Sequence, residues 1–368
     1  MKDERAHLQL FDLIARDWML ASPATGVTFN ADSSAVAFAC ADGAVWLAAT
    51  ADKEPSNSRI RRAVDTARVT IAPRSKFPPP LKAADYTEGR SSAVVPHGAK
   101  NFAFAKANGR INTLTPGGIA VHLPAKAVGH VTAIATTSDG ATLGYACDDM
   151  VYLTAADADH KQGLVAPAKI NDLAFSPDDK TLAVAHACGV TLWNVADVRD
   201  ASLTIPLVGY PTSIVWRADG AWLTVCLQKG GFCTVNVATQ EAHSHGNFPS
   251  PVTSVAYSGP TNSVVAAGAF RVAAWGLDDK RNIMSGKAGL VLINSVATCP
   301  IRNLVAVGYA NGLLSLAEIG RPSEILLRGD TGAGVAAMAW SSDGKFLAVA
   351  GSDGSAALVD FPDSMFKS

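Results

Sequence analysis

Long apolar runs are missing from this chain. The first twenty residues, MKDERAHLQLFDLIARDWML, mix charges with apolar residues throughout, and no later segment has the length to span a bilayer. The expectation is a cytoplasmic protein without a membrane contact. A dominant charge is also missing. The formal net charge is −1, which argues against whole-molecule steering towards nucleic acid or anionic lipid. Cysteines are few, six in 368 residues, and their irregular spacing excludes a secreted disulfide framework. Five of them (Cys40, Cys147, Cys226, Cys233 and Cys299) lie within or at the ends of apolar runs, where a reduced thiol serves as small apolar filler.

Catalytic signatures are equally scarce. A phosphate loop needs a glycine-rich run ending in Gly-Lys-Ser/Thr before a helix, but Gly344-Lys345 is followed by Phe346 between two apolar runs. No Gly-x-Ser-x-Gly elbow occurs. Most acids stand in turn clusters, where Asp commonly serves backbone geometry. These absences predict a protein that is not an enzyme and needs no cofactor.

What the chain does hold is apolar material, 48% against 17% charged, cut into short runs. In 170–197, INDLAFSPDDKTLAVAHACGVTLWNVAD, three such runs are separated by Ser-Pro-Asp-Asp and Cys-Gly. β-Branched runs of this length bounded by Pro, Asp and Gly read as antiparallel strands with tight turns. The middle run recurs as AVAFAC, NFAFAK, TLGYAC, TLAVAH, WLTVCL, SVVAAG, NLVAVG and FLAVAG, ending at 40, 106, 147, 186, 227, 268, 308 and 351. From 106 onward the steps are 41, 39, 41, 41, 40 and 43 residues. A period of ~40–45 with four strands per unit predicts an all-β, closed β-propeller of four-stranded antiparallel blades.

The repeats resemble the WD-repeat propeller family. Trp193-Asn194 stands where that family closes a unit with Trp-Asp, and Gly129-His130 matches its Gly-His. Most other units lack both dipeptides. Eight units are countable; a seven-bladed alternative requires 91–123 to be something other than a blade. The resemblance implies one propeller over 1–368, with an N-terminal segment, here 8–20, supplying the outermost strand of the last blade. It also implies a non-catalytic scaffold for protein partners. In the family, the turn after the second strand and the connection into each inner strand share one face. Here those positions hold Lys106, His130, Gln228, Lys229, Phe270, Arg271, Tyr309 and Asn311, the expected partner contacts.

One segment breaks the period. The step from Cys40 to Lys106 is 66 residues where ~41 suit such a repeat, so roughly 25 are inserted within 51–90, between the first and second blades. Residues 59–76 carry Arg59, Arg61, Arg62, Arg68, Arg74 and Lys76 against Asp65 alone, a local +5 that leaves −6 elsewhere. Pro78-Pro79-Pro80 follows. Long insertions in compact domains are functional or disordered, so Arg59, Arg61 and Arg62 are further contact candidates, for an acidic partner.

Two other functions stay open at this point. A propeller enzyme would gather acids or histidines around its central channel. A metal-handling protein would use Cys40, Cys147 and His186, which share one repeat position that is Gly in the last three units, together with Cys188 in the same turn as His186. Thiolate and imidazole suit zinc.

Overall fold

The computed structural model describes residues 8–62, 69–76, 79, 81–83, 91–106, 109–126, 129–155, 162–196, 203–278 and 281–366. Asp65, Arg68, Pro78, Pro80 and Asn108 lie outside these described residues.

Eight four-stranded antiparallel sheets follow one another as blades. Their inner strands are Ala24–Phe29, Ser91–His97, Val131–Thr136, Ile170–Phe175, Pro211–Trp216, Val255–Ser258, Ile293–Thr298 and Val335–Trp340. The segment 91–123 therefore belongs to a regular second blade, and the seven-bladed alternative falls. Blade 8 takes its outermost strand from the N-terminal side of the chain. Ala15–Met19 pairs antiparallel with Ser355–Asp360, Ala15 opposite Val359 and Met19 opposite Ser355. Blade 8 is thus completed by strands from both ends of the chain, which covers the edge of Ser355–Asp360.

The second strand of each blade is packed on both faces, which explains its continuous apolar character. Ala35–Cys40 is buried at all six positions. One position near its end is small in every blade: Ala39, Ala105, Ala146, Ala185, Cys226, Ala267, Gly308 and Ala350. At Gly308 the reason is direct, since a Cβ there would sit 2.5 Å from Val335, at the start of the next blade's inner strand. The pairing also corrects the repeat alignment. Cys40 faces Ala24, Cys147 faces Val131 and His186 faces Ile170, whereas Ile293 faces Tyr309. Tyr309, not Gly308, is the blade-7 counterpart of those three residues.

Neighbouring inner strands are tied by side chains reaching one blade back. The Trp216 and Trp340 indole N–H groups donate to the carbonyls of Ala174 (3.0 Å) and Ala297 (2.9 Å), and the Thr136 and Thr298 hydroxyls to those of Pro96 (2.9 Å) and Tyr257 (2.7 Å). In the other direction, Asp172 accepts the Ile214 N–H at 2.8 Å. Turn acids do backbone work. Ser176 donates to Asp178 at 2.6 Å while accepting the Thr181 N–H, and Thr137–Asp139 and Ser341–Asp343 repeat this clip.

The insertion is not placed between blades. Lys82–Ala83 is the outermost strand of blade 1, so the extra residues lie inside that blade, after its third strand Val45–Ala49. They carry a two-stranded hairpin, Ile60–Arg62 with Val69–Ile71.

Candidate interaction face

Turns after the second strand and connections into the inner strands do meet on one face. Gln228 N–H donates to Tyr210 O at 2.8 Å, Ala310 N–H to Leu292 O at 2.8 Å and Ser352 N–H to Gly334 O at 2.8 Å. The residues expected on this face divide by exposure. His130, Gln228, Lys229 and Phe270 are exposed; Lys106, Arg271 and Asn311 are half-buried; Tyr309 is buried. Asn311 donates to Asp330 at 2.8 Å, and the Arg271 Nε–H group donates to the carbonyl of Gly286 at 3.1 Å.

Three of these residues, Phe270, Arg271 and Tyr309, stand around the junction of blades 6 and 7. The connection 286–292 arches over blade 7 and leaves a cleft of about 270 Å³, lined by Leu290, Val291, Tyr309, Leu313, Glu324 and Leu326 among others. Phe270 stands beside it, its carbonyl accepting the Gly289 N–H at 3.1 Å. Leu290 is 96% exposed, Leu326 56% and Phe270 41%. Three exposed apolar side chains are thus gathered around one apolar cleft rather than scattered over the surface. The floor is polar but satisfied. Glu324 accepts from the Lys287 N–H (2.7 Å) and the Ser315 hydroxyl (2.9 Å), with the Tyr309 hydroxyl at 3.5 Å. Burial, with Glu324 beside it, pushes the Tyr309 phenol up to about 12, so it remains a neutral donor. Phe270 and Tyr309 are among the residues expected on this face from sequence. Leu290 and Leu326 are not, because nothing in a periodic apolar pattern marks which leucine faces water.

The residues considered for zinc are not brought together. Among the described residues there is no group of three or more His, Cys, Asp and Glu side chains able to hold a metal. Cys40 and Cys147 are buried in separate inter-blade cores. Burial, with Asp42 nearby, pushes the Cys40 thiol up to about 11, away from thiolate. His186 is fully buried and spent on structure. Its Nδ1 accepts the Cys188 N–H at 3.2 Å, so Nε2 carries the proton and donates to Thr191 Oγ1 at 2.8 Å. Only Cys188 is exposed. As for the central channel, the eight inner strands carry one acid, Asp172, and one histidine, His97, among the described residues.

The basic insertion is likewise divided. Arg59 is buried, its guanidinium donating to the carbonyls of Glu54 (3.1 Å) and Ala72 (2.9 Å), so it is not available to a partner. Arg74 grips Asp52 at 2.5 and 2.9 Å. Arg61 and Arg62 remain exposed on the hairpin.

Comparisons with known proteins agree with this architecture. Residues 291–365 match the family model described as the anaphase-promoting complex subunit 4 WD40 domain. Among solved structures, the C-terminal WD40 domain of Sif2 superposes with a TM-score of 0.66 at 12% identity, covering 96% of this chain and 99% of that one. The β-propeller domain of Cps50 (Swd1) from Myceliophteria thermophila gives 0.57 at 17% identity, covering 75% and 98%. No curated protein matches the chain in sequence. Among the described residues no helix is long and apolar enough to cross a membrane. The chain is a propeller of the WD40 fold, built here from eight blades.

Proposed function

We propose that this protein is a non-catalytic protein–protein interaction scaffold whose principal contact is the blade 6–7 corner of the face just described. The observation that carries the reading is the apolar cleft with Leu290 and Phe270 in water at its rim. A partner side chain seated there would bury these groups together, which is how a small number of central residues dominates an interface. The sparse acids and histidines of the inner strands favour a scaffold over channel catalysis. By name, the protein behind the matching family model is a subunit of a complex, which is consistent with a scaffold role here.

The test is quantitative affinity purification from the native host with wild-type, Leu290→Asp and Phe270→Asp proteins. A hot-spot loss of about 2 kcal/mol corresponds to roughly 30-fold in affinity, so partners retained by the wild type should be depleted from both variants. Both variants should melt as the wild type does. An unchanged set of co-purified proteins would remove the cleft from the interface.

A further inference from the structure

The insertion creates a second surface, at the seam where the ring closes. Its hairpin strand Val69–Ile71 borders a groove of about 500 Å³, whose other walls are Leu10 and Leu13 of the short helix Leu10–Ile14, and Pro362 and Met365 beyond blade 8. Val69 is 47% exposed.

The hairpin's hydrogen bonding decides what that strand presents to the groove. Ala72 N–H donates to Arg59 O at 2.9 Å, so residues 59 and 72 form a hydrogen-bonded pair. Antiparallel ladders alternate, which makes Arg61–Thr70 the next hydrogen-bonded pair and leaves Ile60–Ile71 and Arg62–Val69 as non-hydrogen-bonded pairs. Val69 and Ile71 therefore direct their N–H and C=O groups away from the hairpin. Among the described residues no backbone group pairs with them. Consecutive residues 69, 70 and 71 all line the groove, which places it along this open edge rather than over one face of the hairpin. Exposed Arg61 and Arg62 supply positive charge on the neighbouring strand. The nearby acid Asp12 already accepts the Gln9 N–H at 2.8 Å.

An open strand edge, an apolar slot beside it and a basic flank define one kind of ligand. We propose that this groove binds an extended segment of a partner protein by strand addition to Val69–Ile71, with alternate apolar side chains in the slot and the intervening acidic side chains on the opposite face, which carries Thr70 and Arg61. The inference rests on the scaffold reading only in taking the ligand to be a polypeptide; the surface and its chemistry are independent of the blade 6–7 cleft.

Three synthetic heptapeptides test it: alternating valine and glutamate, alternating valine and lysine, and alternating serine and glutamate. The valine–glutamate peptide should bind the full chain and slow amide exchange at Val69 and Ile71 at least tenfold. The other two should bind at least tenfold more weakly, and the double variant Arg61→Glu, Arg62→Glu should reverse the glutamate–lysine preference. Val69→Pro should abolish binding without disturbing the hairpin, because the lost N–H points outward. Leu290→Asp should leave peptide binding intact, which separates this site from the blade 6–7 contact. Equal binding of all three peptides, or of none, overturns the proposal. So does slow exchange of both amides in the protein alone, which would mean that the chain covers its own edge. A concentration-dependent dimer abolished by Val69→Pro would assign the edge to a second copy instead. The exchange measurement uses unmodified protein, so it decides even if the proline variant fails to fold.

Discussion

Asp172 shows what a single side chain costs and contributes in this ring. It accepts the Ile214 N–H across the blade 4–5 boundary, yet burial pushes its carboxyl up to about 6 from an ordinary 3.8. The folded state therefore holds a proton that the unfolded chain has lost, and stability from this group falls as pH rises from 3.8 to about 6, then stays low. Asp172→Asn keeps a carbonyl oxygen for Ile214, gives up the acceptor used by the Leu173 N–H at 2.9 Å, and removes the charge. It should raise stability by on the order of 1–2 kcal/mol at pH 8, with the gain vanishing near pH 4. Denaturant midpoints across that range check it; a variant no more stable than wild type at pH 8 would show the carboxylate is well solvated. The same scale explains the cysteines. Cys226 shares its position with seven alanines or glycines, and size alone accounts for it.

At the scale of the element, the insertion acts as a clasp across the seam. Arg16 of the closing strand donates to the Thr50 carbonyl at 3.0 Å and lies 3.7 Å from Asp52, which Arg74 holds from the other side. Trp18 donates to Pro79 O at 2.9 Å, Ser56 N–H donates to Asp360 at 2.7 Å, and Asp363 N–H donates to Asn57 at 2.9 Å. Blade 1 is thus bonded to both chain segments that complete blade 8. Burial alone would raise the Asp52 carboxyl, but Arg74, the Glu54 N–H and the charge of Arg16 overcome it and hold it at about 2. This folded value lies below the ordinary 3.8, so the contribution is complete above that pH and is lost as pH falls towards 2. Asp52→Ala leaves the buried Arg16 and half-buried Arg74 guanidinium groups without their carboxylate and should cost about 3 kcal/mol at pH 7. The difference from wild type should shrink as pH falls through this window. Calorimetry at pH 7 and pH 3 measures both values, and a variant as stable as wild type at pH 7 would show that the clasp does not hold the seam.

For the whole molecule, closure is the property on which stability depends. Removing residues 1–20 would strip blade 8 of Ala15–Met19 and expose the edge of Ser355–Asp360. It would also delete Phe11 and Ile14 from the core they share with Trp340 and Phe361. The truncated protein should aggregate on warming and lose cooperative unfolding, as scattering and calorimetry would report. Unchanged melting would mean that the ring does not depend on that strand.

The repeat period and the count of eight were legible in the sequence because each rests on local requirements; the closing strand was expected only because the resemblance to WD-repeat propellers implied it. A strand with two buried faces must be apolar along its length, and a tight turn must hold Asp, Asn or Gly. Eight copies of those two requirements leave a visible period. The shared face, too, was expected from that resemblance, and the hydrogen bonds between these turns and the connections show it in this chain. Tertiary structure alone decided the rest. The one-residue shift that makes Tyr309 the counterpart of Cys40 follows from strand pairing, because Gly308 and Tyr309 both fit the apolar run. Six basic residues in a row of eighteen suggested a charged loop, yet Arg59 and Arg74 turn inward to carbonyls and to Asp52. A residue's charge is a property of its composition; whether a partner within the chain neutralises it depends on which distant segment the fold brings alongside.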